Sequence, residues 1–398
     1  MEIIPQYQST AYNGPAIKLG AGVHAGDALG YASDNGYRVV TGECGTVGIS
    51  GGYSQGGGHG PLNSAYGLAS DNVLEWEVVT GDGQHLVATP DKNSDLYWAL
   101  AGGGGGTYAV VLSMTTRVHP DGVVSSAELG FSVADVGNST FWEAVGVFWS
   151  LLPTVIKGTN NSVQFNTWNN QFGAVFTLVD QGTSTINKTL APFLAEFNKL
   201  GLTTFVSTVQ SENFLDYYAT YYGPLPYGLE PDSTILNSRI VPESVVTDDA
   251  ANAKLMSAFE LITKDGDFEV ACSASDVSNT QYSPNAVLPA WRTSIAVCHI
   301  DGFWDFAAPI GQNYALKSKL VDVYAPAFDE ATPDSGVYLN EIDPWYKGDF
   351  KTNFYGSNYD KLLSIKHKHD PDHLFYGHHA VGSDEFTIDG DGRLCYQS

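Results

Sequence analysis

A two-lobed α+β fold is predicted for this chain, and three features of the sequence predict it. Short segments and dense glycine run as far as Pro120, longer strand-like and helix-like segments follow, and a tyrosine- and histidine-rich tail begins near Tyr338. Hydrophobic residues make up 43% of the 398 and charged residues only 16%, which is apolar mass enough for two packed lobes.

The elements follow in order. Ala16 to Val23 has the pattern of a strand, Ala25 to Asn35 that of a short helix stopped by Gly36, and Tyr37 to Thr41 that of a second strand. After a glycine-rich loop, apolar and polar residues alternate from Val73 to Val79. Gly81-Asp82-Gly83 turns the chain, and Gln84 to Ala88 returns as the partner in a hairpin. A helix from Ser94 to Leu100 meets the run Gly102 to Gly106, a long strand occupies Thr107 to Val118, and His119-Pro120 closes the block.

Beyond it, helices are predicted over Ser139 to Leu151, Thr189 to Leu200 and Asp248 to Lys264, with a strand over Phe268 to Ser273. Tyr217, Tyr218, Tyr221, Tyr222 and Tyr227 offer either a stacking surface for a sugar or aromatic ligand or the packed face of an amphipathic helix, and the packed face is preferred. In the tail, Ser357 is placed to cap a helix that presents Tyr359, Leu362 and Leu363 on one face and ends at Asp370-Pro371. The expected partition is residues 1–120, residues 121–337, and a segment 338–398 returning to the first lobe.

The balance of 44 acidic against 19 basic residues gives a net charge of -25, which repels nucleic acid and anionic membrane surfaces and favours a neutral or cationic partner. No unbroken run of 18 apolar residues occurs, so no membrane span is expected. Met1-Glu2-Ile3-Ile4-Pro5 has neither the basic start nor the apolar core of a secretory signal. Three Asn-x-Ser/Thr sequons at Asn138, Asn160 and Asn187 and a Lys-poor acidic surface nevertheless point to a secreted glycoprotein. Of the four cysteines, Cys272 and Cys298 are either a disulfide or two buried thiols, and no set has metal-type spacing.

The segment GECGTVGISGGYSQGGGHG carries nine glycines between Gly42 and Gly60, more than a turn needs, so backbone must approach something closely there. Converging N–H groups suit a pyrophosphate. No lysine lies between Lys18 and Lys92, which removes a phosphate-loop NTPase, and the loop runs into further irregular chain rather than the strand–turn–helix of a Rossmann fingerprint.

The order of features is more specific. G-x-C-x-x-V-G, then G-G-x-x-x-G-G-G-x-G, then Tyr66-Gly67-Leu68 and Asp71-Asn72-Val73 closely resembles the flavin-binding segment of the vanillyl-alcohol-oxidase superfamily, nearest its berberine-bridge-enzyme-like, fungal branch. Asp95 to Leu100 running into Gly102 to Gly106 resembles a second family block, and Asn358-Tyr359 with Ile365-Lys366 and Asp370 to Phe375 a third. The resemblance implies FAD held by a two-part PCMH-type domain around an α+β substrate domain with an antiparallel sheet. It matches Cys44 to the cysteine that can bond the flavin ring. It sets Thr46, Val47, Gly48, Gly51, Gly52, Gly56, Gly57, Gly58 and Gly60 against the cofactor, together with Tyr66, Gly67, Asn72, Asn340, Asn358 and Tyr359. Family members also carry an N-terminal segment whose R-x-G-G-H-type loop supplies a second, histidyl link. Nothing here matches it, neither His24 nor His59 replaces it, and the chain is expected to hold the C-terminal portion of the FAD domain.

The family chemistry takes a proton from an alcohol or amine as hydride passes to flavin, with molecular oxygen as the acceptor, so a base is required. Tyr338-Leu339-Asn340-Glu341 resembles the family's Y-x-N segment and makes Tyr338 and Glu341 the candidate bases. Glu269 is a third, and Tyr355 a further residue set to face the site. The substrate is expected to be a small molecule, either an oligosaccharide or a secondary metabolite. Two other readings compete: a non-catalytic homologue that binds a sugar or aromatic ligand, and a metal-dependent hydrolase built on His367, His369, His373, His378 and His379. The histidine spacing is not H-E-x-x-H and straddles a helix end, so no metal-binding residue is expected.

Overall fold

Alternation of apolar and polar side chains builds two antiparallel sheets. The first contains β1 (Glu2–Gln8), β2 (Asn13–Gly20), β3 (Val73–Val79), β4 (His85–Ala88) and β5 (Val110–Arg117) in the order β1-β2-β5-β3-β4. Two helices accompany it, α1 (Ala25–Asp34) and α2 (Ser94–Leu100). The second sheet contains β6 (Val124–Ser132), β7 (Asn161–Trp168), β8 (Gln171–Val179), β9 (Phe205–Ser211), β10 (Thr234–Pro242), β11 (Phe268–Ala274) and β12 (Ser294–Phe303) in the order β9-β6-β8-β7-β11-β12-β10. The computed structural model describes residues 1–168, 170–225, 234–278 and 284–397. Tyr227 lies outside the described residues.

Helices α3 (Asn138–Ile156), α4 (Thr183–Lys199) and α6 (Asp249–Thr263) supply the apolar layer on the second sheet, with α5 (Phe214–Tyr222) between the lobes. Phe148, Trp149, Phe165, Phe176, Phe193 and Phe259 form the centre of that core. The two-residue period of β11 decides which face does what: Phe268, Val270, Cys272 and Ala274 are buried in this core, while Glu269, Ala271 and Ser273 point to the opposite face, where the cavities lie. Cys272 and Cys298 stand directly opposite on β11 and β12 and are joined as a disulfide.

Several boundaries differ from those read off the sequence, for local reasons. Strand β2 starts earlier than Ala16, Tyr37 to Thr41 contributes only the two-residue strand Tyr37–Arg38, and the strand expected from Thr107 begins at Val110 because the glycine run continues as turn. Helix α4 begins at Thr183, with Pro192 inside it, and α3 runs on to Ile156. Helix α6 keeps its start because the Asp248 side chain accepts from the Ala251 N–H. Strand β1 contains Pro5, a residue that breaks a strand pattern but is tolerated at a sheet edge, where β1 lies. Helix α3 has the length and hydropathy of a membrane span, yet Phe141, Val145, Phe148, Trp149, Leu152 and Ile156 face the core.

The tail packs back on the first lobe. Helix α7 (Tyr359–His369) is not capped by Ser357, which lies in the 3-10 turn Gly356–Asn358; Asn358 occupies the capping position without a side-chain cap bond. Tyr355, Tyr359 and Leu362 enter the same core as Tyr97, Leu100 and Tyr108. Lys368 and His369 bond Asp95 at the start of α2. The chain ends in a hairpin of β13 (Phe386–Ile388) and β14 (Leu394–Tyr396), which the sequence pattern does not announce.

Candidate flavin site

The tyrosine-rich helix α5 supports the glycine loop. Tyr217 and Tyr218 are fully buried, Tyr217 shares a 2.6 Å hydrogen bond with Thr177, and the Tyr218 hydroxyl donates to the Gly42 carbonyl at 3.2 Å. Their role is packing, and they fix the entry to Glu43 and Cys44.

Past Cys44 the chain forms an irregular turn over Ile49–Tyr53 and encloses a cavity of about 640 Å³. Cys44, Val47, Gly48, Gly51 and Gly52 form one wall; Tyr338, Asn340 and Glu341 form the facing wall. A Cβ on Gly48 or Gly51 would meet nothing within 4 Å, so both present bare backbone to open space. Gly56, Gly58 and Gly60 do something else. A Cβ there would lie 2.5 Å from the Asn340 amide, 2.6 Å from Ala69 and 2.1 Å from the Thr41 carbonyl respectively, so these glycines let the loop fold onto the protein itself. Gly57, with φ +127°, lies over Tyr338. The density of glycine thus has two causes, and only the first part of the run faces the cavity.

Ser238 on β10 positions the opposite wall: its hydroxyl donates to the Tyr338 carbonyl at 3.1 Å and accepts from the Tyr338 N–H at 3.0 Å. Its own N–H donates to the Glu341 carbonyl at 2.8 Å. The Asn340 amide donates to the Gly52 carbonyl at 2.9 Å and the Tyr338 hydroxyl at 2.7 Å, tying the two walls together.

A partly buried cluster of ionisable groups joins the walls. His59 Nε2 lies 2.8 Å from Glu341 Oε1, while His59 Nδ1 and Glu341 Oε2 have no partner. Glu43 accepts from the Ser273 hydroxyl at 3.2 Å, and His299 is hydrogen-bonded to Asp301. Burial opposes charge on both members of the first pair, but each outweighs that for the other, so Glu341 is lowered and His59 raised. Burial also opposes charge on His299, yet Asp301 lifts it to about 10, and it is cationic at neutral pH. Glu43 is raised by burial, against the pull of His59 and His299. Burial, with Glu341 behind it, pushes the Tyr338 phenol far above its ordinary range, and its oxygen accepts from the Asn340 amide.

The remaining expected residues fall elsewhere. Glu269 accepts from the Asn166 amide at 3.2 Å and stands opposite Asp301 across β11 and β12, so it meets the cluster at Asp301 alone and lies four residues along β11 from Ser273, the partner of Glu43. We therefore predict that Glu269→Gln leaves turnover within about threefold, short of the effect of losing a general base, as steady-state rates will test. Tyr66 stacks on His119 with ring centres 3.7 Å apart, the Asn72 amide donates to the Tyr66 and Leu68 carbonyls, and the Gly67 carbonyl accepts from Asn63, so these residues brace the loop from behind. Asn358 donates to the Ala286 and Val287 carbonyls, and the Tyr359 hydroxyl bonds Asp384. Thr46, half-buried, lies in the turn beside Cys44, outside the cavity lining. Glu43, His299 and Asp301 were not singled out by sequence reasoning. Only Glu43 carries a signal there, its adjacency to Cys44; His299 reaches the site through the register of β12 against β11.

Two further cavities continue the first. One, of about 380 Å³, shares Gly51, Gly52 and Asn340 with it and runs past Gly104 to Gly106, Tyr355 and His379. The other, of about 430 Å³, shares Glu43 and His299 and lies against the open face of the second sheet, along Glu128, Gln164, Asn166, Val175 and Ser273. The first two form a trough with two glycine runs on its wall and the unpartnered Ser50 hydroxyl and Gln55 side-chain amide oxygen buried beside it. The residues of such a trough fit a dinucleotide: the bare backbone at Gly48 and Gly51 would suit its phosphates.

Residues 8–89 match the family model described as FAD binding domain, and residues 337–382 the one described as Berberine and berberine like. The VAO-type flavoprotein oxidase VAO615 of Thermothelomyces thermophilus is 46% identical over 99% of this chain and 68% of its own length. The bifunctional decalin synthase calF of Penicillium decumbens is 44% identical over 99% of this chain and 69% of its own. The crystal structure of VAO-type flavoprotein MtVAO615 from Myceliophthora thermophila C1 superposes with a TM-score of 0.95 at 45% identity, covering 100% of this chain and 72% of that one. With the site's walls, trough and these relatives together, the chain belongs to the berberine-bridge-enzyme-like, VAO-type family of FAD-linked oxidoreductases.

Proposed function

We propose that this oxidoreductase takes a proton from the hydroxyl and a hydride from the carbon of an alcohol group on a small, hydrogen-bonding substrate, with molecular oxygen as the final acceptor. The observation that carries this reading is the orphaned Glu341 carboxylate oxygen, buried opposite Cys44 in the cavity and held ionised by His59. FAD, when bound, supplies the hydride acceptor. Glu341 Oε2 takes the hydroxyl proton, His59 keeps that carboxylate charged and oriented, and Asn340 fixes the distance between the walls. His299, raised by Asp301, lines both cavities and would offer positive charge to an alkoxide formed between them. A hydrogen-bonding substrate is favoured over a wholly apolar one by Glu128, Gln164, Asn166 and Ser273 on the face of the sheet that borders the adjoining cavity.

We further propose a thioether between Cys44 and the flavin ring, in which the sulfur would lose its proton and replace a ring hydrogen, and the two electrons released would pass to molecular oxygen as hydrogen peroxide forms. Acid precipitation of the purified chain should carry the yellow colour down with the protein, and Cys44→Ser should leave it in the supernatant. Colour that precipitates equally from both would rule out this link. Hydrogen peroxide release across a panel of apolar alcohols and of oligosaccharides tests the substrate class; turnover confined to the apolar alcohols would overturn it. The disulfide and the exposed sequons Asn138, Asn160 and Asn187 support a secreted location, which endoglycosidase treatment of protein from the native host would test.

A further inference from the structure

We propose that His367, His373 and Glu385 bind one divalent transition-metal ion of borderline softness, Zn²⁺ above the others, and that the ion clips the C-terminal hairpin to helix α7. The three donor atoms lie within 4.8 Å of one another. His367 Nε2 is 2.8 Å from Glu385 Oε1 and His373 Nε2 is 2.9 Å from Oε2, so the two imidazoles already converge on one carboxylate from two sides. Two imidazoles and a carboxylate are a common three-residue set for zinc, with a water or the second carboxylate oxygen as the fourth ligand.

The backbone around the site is built to aim these groups. His373 has φ +49°, a left-handed conformation uncommon for a residue with a side chain. The turn that imposes it is fixed by Asp370, whose carboxylate accepts from the Leu374 and Phe375 N–H groups while its carbonyl accepts from His373. The His373 side chain is only 5% exposed, walled by Phe386 and Tyr396 from the hairpin. Gly382 makes room for its ring, since a Cβ there would lie 3.1 Å from the imidazole. The nearby Lys366 ammonium is paired with Asp370 and so opposes a cation little.

Zinc bonds of about 2.0 to 2.2 Å set tetrahedral donors roughly 3.3 Å apart, so the donors must draw together slightly. His367 has that freedom: it lies in the last turn of α7 and its side chain is 46% exposed. The ion would hold α7 and the segment before β13 through side chains that otherwise share hydrogen bonds alone. A net charge of -25 raises the local concentration of cations around the chain. None of the three residues lines the cavity beside Cys44, so this site is separate from the redox chemistry.

The test uses the full chain, stripped with chelator, dialysed against zinc chloride and desalted. Wild type should retain one zinc per chain by elemental analysis, gain roughly 3 °C in Tm, and resist proteolysis between residues 386 and 397. His367→Gln preserves a hydrogen bond to Glu385 but is a poor ligand, and Glu385→Gln removes the anionic one. Both should fold, keep the flavin absorbance of wild type, and lose at least tenfold in zinc affinity. Wild type without zinc above background, or zinc held equally by both variants, would overturn the proposal.

Discussion

Glu341→Gln should lower kcat by about 10² to 10⁴, the range for losing a positioned general base, or roughly 3 to 5 kcal/mol of barrier. The substitution keeps the size of the side chain and a hydrogen bond to His59, so the loss would report the proton acceptor rather than a collapsed wall. The companion variant His59→Asn gives a sign as well as a size. Glu341 is lowered because His59 outweighs burial; without His59, burial is left and its pKa rises. The acid limb of the kcat profile should therefore move to higher pH in His59→Asn, while the plateau above it stays nearer wild type than in Glu341→Gln. Oxygen consumption with an alcohol found in the substrate panel measures both. An unshifted acid limb in His59→Asn would remove His59 from the role assigned to it.

The pair shows how much of the site was legible in the sequence. Glu341 was accessible because it follows the Tyr338-Leu339-Asn340 segment, and Cys44 because the order of glycines around it is distinctive. Local order carries such signals. The partnership of Glu341 with His59, 282 residues earlier, and of Glu43 with Ser273, 230 residues later, is set by how β11, β12 and the tail pack on the loop. No local pattern encodes it. Glycine density was read correctly as close backbone approach, but a glycine does not say what approaches. Gly48 and Gly51 meet open space; Gly58 and Gly60 meet Ala69 and Thr41. Strand β1 went unread because Pro5 interrupts it, and only the exposed sheet edge makes that proline acceptable.

Lys366→Met should cost about 3 to 5 kcal/mol of stability, the largest expected effect outside the site, because it strands a carboxylate in the interior. Both side chains of the Lys366–Asp370 pair are 1% exposed. The ammonium also donates to the Thr107 carbonyl at 2.8 Å and the Phe375 carbonyl at 2.5 Å. It thereby joins three stretches: α7, the end of the Gly102 to Gly106 run, and the turn carrying His373. The sign with pH separates lost charge from lost packing. In wild type, burial opposes ionisation of Asp370 but Lys366 and the Phe375 and Leu374 N–H groups outweigh it, so its folded pKa lies below the unfolded value. Its contribution is present above the unfolded pKa and lost as pH falls through the folded one. In Lys366→Met the ammonium is gone, burial has more weight, and the folded pKa of Asp370 rises. The gap in stability between wild type and variant, measured by denaturant titration, should narrow as pH falls toward 4, where the stranded carboxyl takes up a proton. Adding Asp370→Leu should recover part of the loss at neutral pH, though not the two backbone N–H bonds that Asp370 accepts. A gap independent of pH would mean that Lys366 holds the tail by packing and backbone contacts alone.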